Sequence, residues 1–196
     1  MAYGDYGKTT ELEAVNICLG VVGEQPVSAI GSGVSKATMA RDIIYELSRT
    51  IQKQGLSCNT DYKYAIVPDE DDSYCTIPAT AISCDPSYLS DNRYVERTGK
   101  LYDRTDQTFV MTKTVYCDVV FFLAWTNLPE HVRYYITIRA ARIFQKRYLA
   151  DEALHRFSED DEYQAKSDFE RQELNTEDFS LLDNTRMNPR VYRRKG

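Results

Sequence analysis

The 196-residue sequence predicts an α+β fold: a four-helix bundle-like lobe from two N-terminal and two C-terminal helices, an inserted antiparallel β-sheet or sandwich lobe, and an extended C-terminal tail. Three observations lead there. Apolar residues recur at spacings of 3 and 4 through the N-terminal quarter, as on one face of a helix. Residues 56–125 lose that period and become rich in Tyr, Thr, Val and Ile, broken by Pro68, Pro78, Pro86 and Gly99. A helical pattern returns at Leu128 and Pro129. The expected boundaries are 1–55 and 126–175 for the helical lobe, 56–125 for the inserted lobe and 176–196 for the tail.

Thr10 and Glu13 form a T-x-x-E capping box before Leu12, Val15, Leu19 and Val22, and Gly23 supplies the stop of the first helix. "EQPVSAIGSGVS" is a loop by its Pro, Gly and Ser content. Ser35 caps the second helix, where Ala37, Ala40, Ile44, Leu47 and Ile51 keep the stripe until Gly55. In the inserted lobe, "DYKYAIV" alternates Tyr62, Tyr64 and Ile66 on one face, "RYVERTGKLYD" reads as a hairpin turning at Thr98 and Gly99, and "TVYCDVVFFLAW" as a strongly apolar strand. The third helix runs to about Ala150. A polar fourth helix over 151–174 carries a thin stripe of Leu154, Phe157, Ala165 and Phe169, with Glu152 to Arg156 and Glu162 to Lys166 at i, i+4. Phe179, Leu181 and Leu182 are docking points in the tail.

Composition bounds the function. Apolar residues at 42% and charged residues at 28% suit a globular protein. No apolar run approaches the roughly 18 residues of a membrane span and the N-terminus lacks the order of a secretory signal, so the chain is expected to stay where it is made. Five cysteines without a C-x-x-C pair imply reduced thiols, and His131 and His155 lack ligand spacing for zinc, so no metal is expected. The net charge of −6 opposes a protein that coats nucleic acid. The charge is uneven: residues 151–183 hold twelve acids against three bases, and residues 186–196 hold five bases and no acid.

On the third helix, Val132, Ile136 and Ile143 project to one edge and Tyr134, Ile138, Ala141 and Leu149 to the opposite one, with Arg133, Arg139, Arg142, Lys146 and Arg147 interleaved. Two compatible readings follow. The helix is a central bundle helix whose arginines snorkel out to the acid-rich last helix, and part of its surface meets another subunit, where Arg and Tyr are favoured. In the tail, Arg190, Tyr192, Arg193, Arg194 and Lys195 make either a solvated end or a docking element for an acidic protein surface or DNA phosphate; the protein surface is preferred. Catalysis has little support. There is no nucleophile elbow, P-loop or HExxH, a Cys18 and His155 pairing is less natural than a buried thiol, and Asp103 with Asp106 reads as turn chemistry before a cation site.

The stretches "ELEAVNICLGVVGEQPVSAI", "YVERTGKLYDRT" and "LPEHVRYYITIRAARIFQKRYL", in that order, resemble the tail tubular protein A family of short-tailed, podovirus-type phages over about residues 10–175. The resemblance implies a virion protein of the phage neck, assembled in the host cytoplasm. It implies a dodecameric ring between the portal protein and the nozzle of tail tubular protein B, with DNA passing through without specific binding and tail fibre protein attached around the nozzle junction. The helical lobe would then serve portal and neighbour-subunit contacts, and the inserted lobe the nozzle and fibre side. Arg133, Arg139, Arg142, Lys146 and Arg147, with Arg190, Tyr192, Arg193, Arg194 and Lys195 of the tail, would be the portal or neighbour-subunit contacts, although the tail is more basic than the family leads one to expect. No enzyme activity, cofactor or membrane contact is implied. The alternative is a nucleic-acid-binding accessory protein using the Arg-rich helix and the basic tail, which would bind duplex DNA in a salt-sensitive way.

Overall fold

A reciprocal cap starts the first helix, α1 (Glu11–Gly20): the Thr10 hydroxyl accepts from the Glu13 N–H at 3.2 Å and the Glu13 carboxylate accepts from the Thr10 N–H at 2.8 Å. The computed structural model describes residues 7–31, 35–86, 93–148 and 152–176, with the side chains of 152–158 left aside. The expected tail lies outside the described residues from 177 onward. α1 ends earlier than Gly23, because Val21 and Val22 form a turn and the Glu24 N–H reaches back to the Leu19 carbonyl at 3.0 Å. Ser35 caps α2 (Lys36–Gln52) through the Thr38 N–H.

Among the described residues five strands follow: β1 (Thr60–Ile66), β2 (Ala81–Pro86), β3 (Tyr94–Arg97), β4 (Lys100–Asp103) and β5 (Val115–Phe121). β5 pairs antiparallel with β1 on one side and β2 on the other, and β3 pairs with β4 as a separate hairpin. A single 3-10 turn, Trp125–Asn127, then leads into α3 (Glu130–Tyr148) and α4 (Glu152–Thr176). The chain is thus mixed α+β with four helices and antiparallel sheets among the described residues.

Two apolar clusters form. One gathers Val15, Leu19, Ile44, Ile51, Leu128, Val132, Ile136, Phe144 and Phe169 from all four helices; the other gathers Ile66, Cys75, Ile77, Leu101, Met111, Val115 and Val119. α3 packs on α1, α2 and α4, whereas α4 rests on α3. Being enclosed on several sides, α3 buries Val132, Tyr135, Ile136, Ala140, Ala141 and Phe144. This corrects the two-edge projection: Tyr134 is 46% exposed, and Ile138 and Ile143 are only partly covered.

β1 departs from simple alternation as well. Its register with β5 shifts between Asp61 and Tyr64, where Lys63 takes φ +56°, and Tyr62 and Tyr64 are both exposed. The bulge re-aims the side chains between two otherwise paired stretches. The β3–β4 turn, by contrast, sits where the sequence put it. Thr98 and Gly99 have φ of +54° and +74°, the two left-handed residues of a type I′ hairpin. A β-branched Thr is strained in that region, whereas Asn tolerates it. Thr98→Asn is expected to stabilise the protein by about 1 kcal/mol, readable as a higher midpoint in urea unfolding; a lower midpoint would contradict the turn geometry.

Candidate assembly interface

Arg133 is fully buried at the start of α3. Its guanidinium fork donates from Nε to the Leu128 carbonyl at 2.9 Å, from Nη1 to the Thr9 carbonyl at 3.0 Å and from Nη2 to the Thr126 carbonyl at 2.6 Å. The Trp125 indole donates to the same Thr9 carbonyl at 2.9 Å, and Glu130 takes the Thr9 N–H at 2.7 Å. One planar cation thereby ties the segment before α1 and the 3-10 turn to the base of α3. An exposed role for Arg133, as expected from the interleaved arc, gives way to this internal one. The reason is that the chain curls back over the base of the helix and presents carbonyls where solvent would otherwise stand.

The other four cations divide. Arg139 donates to the Tyr135 hydroxyl at 3.0 Å and lies 3.7 Å from Glu162 on α4. Arg142 donates to Glu159 at 3.1 Å and makes a close ion pair with Glu162 through Nε. Glu162 therefore reaches across to α3, where the sequence had suggested a partner along α4; Lys166 pairs with Glu170 at 3.6 Å. Arg147 faces Glu46 on α2 at 3.7 Å, and Lys146 is exposed. Arg139 and Arg142 are brought together on α4, as the snorkelling reading expected; among the described residues no α4 partner is shown for Arg133, Lys146 or Arg147. Arg190, Tyr192, Arg193, Arg194 and Lys195 lie outside the described residues.

Two polar junctions were not singled out from sequence. Buried Gln52, at the end of α2, accepts from the Leu123 N–H at 2.7 Å and donates to the Leu123 carbonyl at 3.1 Å. Asn59 donates to the carbonyls of Gln52 and Phe121 at 3.1 and 2.8 Å, which joins the end of α2 to the end of β5. Near the end of α4, Glu173 accepts from the Ser57 N–H at 2.8 Å and meets His131 Nε2 at 2.7 Å. A signal for the first existed: Ser48 and Gln52 continue the Ile44 stripe at i+4 and i+8, so their polarity on a buried face required partners.

Asp103 is turn chemistry, as read. Arg93 Nε donates to it at 2.6 Å and the backbone N–H groups of Thr105 and Asp106 donate at 2.8 and 3.1 Å. The Arg93 guanidinium, and then those N–H groups, hold its carboxyl below the usual carboxylate range. A depressed folded pKa stabilises above the unfolded value of about 3.9 and loses that stabilisation as pH falls through the folded value. The melting-temperature gap between wild type and Asp103→Asn should therefore be widest at neutral pH and close on acidification below about pH 4; a gap constant with pH would contradict it.

Burial pushes the Cys18 thiol up to about 12, so it stays protonated at neutral pH and is a poor nucleophile. Among the described residues, no group of three or more His, Cys, Asp or Glu side chains is placed to hold a metal ion, and no helix is long and apolar enough to cross a membrane.

Charged side chains thus join one element to the next, and Tyr134 and Tyr163 stay exposed on helix surfaces. Comparison with known proteins gives the class of the protein. A family model described as "Tube: Tail tubular protein" matches residues 12–179. The chain belongs to the tail tubular protein family and is a structural protein of a phage tail. It is also similar to tail tubular protein A of Klebsiella phage KP34, at 27% identity over 126 residues, which are 64% of this chain and 66%, just under two thirds, of that relative. Membership in a structural family fits the non-enzymatic reading.

Proposed function

We propose that this chain is the head-to-tail adaptor of its virion. Copies form a dodecameric ring between the portal protein and a nozzle of tail tubular protein B, and DNA leaves through the ring during ejection without specific binding. The helical elements within 1–55 and 126–175 serve the portal and neighbouring subunits, and the strands within 56–125 serve the nozzle and the tail fibre protein. Assembly takes place in the host cytoplasm. The observation that carries the reading is the family match across residues 12–179.

The outer surface of the helices supports it. Met39 and Tyr45 on α2, Tyr134 and Lys146 on α3 and Tyr163 on α4 are exposed, and Tyr163 keeps 77% of its surface open. Tyr and Met are among the side chains enriched where subunits meet. The nucleic-acid alternative draws less support, because Arg133, Arg139, Arg142 and Arg147 already have partners within the chain. Co-elution of the protein with its cognate portal ring on a sizing column is expected, with no salt-sensitive shift of duplex DNA by the free protein. A steep salt-dependent shift together with no co-elution would favour the alternative.

A further inference from the structure

The outer face of α2 carries a stripe that complements its own reverse. Asp42, Tyr45, Glu46, Arg49, Thr50 and Lys53 recur at spacings of 3 and 4 along one side of the helix, and all six are exposed. They line an open groove of about 530 Å³. Two acids come first and two bases last. Laid antiparallel on a second stripe of the same kind, Asp42 meets Lys53, Glu46 meets Arg49 and Tyr45 meets Thr50, and each meeting occurs twice.

The helix does not need this arrangement for itself. Acids are favoured in the first turn of a helix and bases in the last. The first turn of α2 holds Lys36 and no acid, so the dipole explains Arg49 in the last turn but not Asp42 or Glu46. Asp42 with Glu46, and Arg49 with Lys53, are also like charges four residues apart, which weakens an isolated helix.

Ties to the rest of the chain leave the stripe open. Asp42 lies 3.8 Å from Arg41 and Glu46 3.7 Å from Arg147, with 68% and 66% of the two acidic side chains exposed. Arg49 lies over the Phe122 ring at 5.8 Å. Exposed ion pairs of this length hold weakly and exchange partners at little cost. The Tyr45 hydroxyl donates to Glu11 of α1, which fixes the ring at the groove while 41% of the residue stays exposed.

We infer that α2 is a two-fold docking surface for a second copy of this chain, the two helices antiparallel and Tyr45 of each copy seated beside Thr50 of the other. The stripe from Asp42 to Lys53 covers about 17 Å of helix, and a crossing angle of roughly 20° keeps such a stripe in contact along its length. Tyr is favoured at contacts between subunits, and the small Thr50 leaves it room. A two-fold contact closes at two copies, whereas neighbours in a cyclic ring meet head to tail. The pair is therefore a state of the free chain, which goes beyond the adaptor reading and needs no portal.

Sedimentation velocity of the full-length protein at low salt, from roughly 1 to 200 μM, is expected to show monomer passing to dimer and no larger species. Arg49→Glu with Lys53→Glu makes the stripe wholly acidic, and Asp42→Lys with Glu46→Lys makes it wholly basic. Each pair of changes should weaken the dimer about tenfold or more, with the helical circular dichroism unchanged. Mixed in equal amounts, these two variants should form a heterodimer. All four substitutions in one chain should restore the homodimer, because the reversed pattern again complements itself. A monomer at every concentration would overturn the inference, as would single-sign variants that dimerise like the wild type or a mixture of them that stays monomeric. Wild-type species larger than a dimer would overturn the two-fold geometry in favour of head-to-tail contact. Portal binding is read separately and bears on the adaptor proposal alone.

Discussion

Replacing Arg133 by Met is expected to lower the stability of the protein by roughly 3–5 kcal/mol, the range for stripping one partner from a buried, fully hydrogen-bonded charge site. Methionine keeps much of the volume but offers no donor. The carbonyls of Thr9, Thr126 and Leu128 then lose the guanidinium N–H groups they now accept, and among the described side chains Glu130 and the Trp125 indole are left to hold Thr9. For a chain of this length the melting temperature should fall by about 10 °C. Arg133→Lys should recover only part of the loss, since an ammonium cannot reproduce a planar fork aimed at three carbonyls. Calorimetry of the three proteins decides it; a loss within about 2 °C for the Met variant would mean the fork contributes little.

The second large effect is expected at Gln52. Gln52→Leu leaves the Leu123 N–H and carbonyl without the amide that bonds both, in a position that is fully buried on the α2 side. Two abandoned backbone groups at about 1–3 kcal/mol each would cost about 2–6 kcal/mol if fully buried; Leu123 is half-buried, so the expected loss is nearer the lower end, roughly 2–4 kcal/mol. The cost should be localised as well. Because Asn59 joins the Gln52 carbonyl to that of Phe121, hydrogen exchange should quicken at the end of β5 before it does in α1. Uniform acceleration across the chain would show instead that the junction is one part of a single cooperative unit.

What could be read from the sequence was local. The Thr10 and Glu13 box, the Ser35 cap and the Thr98–Gly99 turn each depend on residues within a few positions of one another, and each stands where the spacing put it. α3 was harder. A helix packed on three neighbours buries most of its circumference, so a projection onto two edges cannot say that Tyr135 goes inside and Tyr134 outside. Arg133 illustrates the same limit: its partners at Thr126 and Leu128 are close in sequence, but the third, Thr9, is brought over by the fold. The bulge at Lys63 was also illegible, since no Gly marks it and the Tyr alternation around it suggests an unbroken strand.

Of the candidate contact residues, the sequence anticipated that arginines of α3 would reach the acidic helix, and Arg139 and Arg142 do so through Glu159 and Glu162. It could not say which cations remain for a partner. That depends on which carboxylates the packing of α4 on α3 brings within about 4 Å, a tertiary fact. Of that set Lys146 is exposed, and Tyr134, which was not in it, is exposed on the same helix; under the adaptor proposal both are placed for contact with another subunit.

The central claim is that this tail tubular protein acts as the ring between portal and nozzle. Native mass spectrometry of the protein mixed with its cognate portal ring, with the protein alone as the control, tests it most directly. The account predicts a discrete complex carrying as many copies of this chain as the portal has subunits. An unchanged mass for this protein in the presence of the portal, with no complex formed, would contradict it.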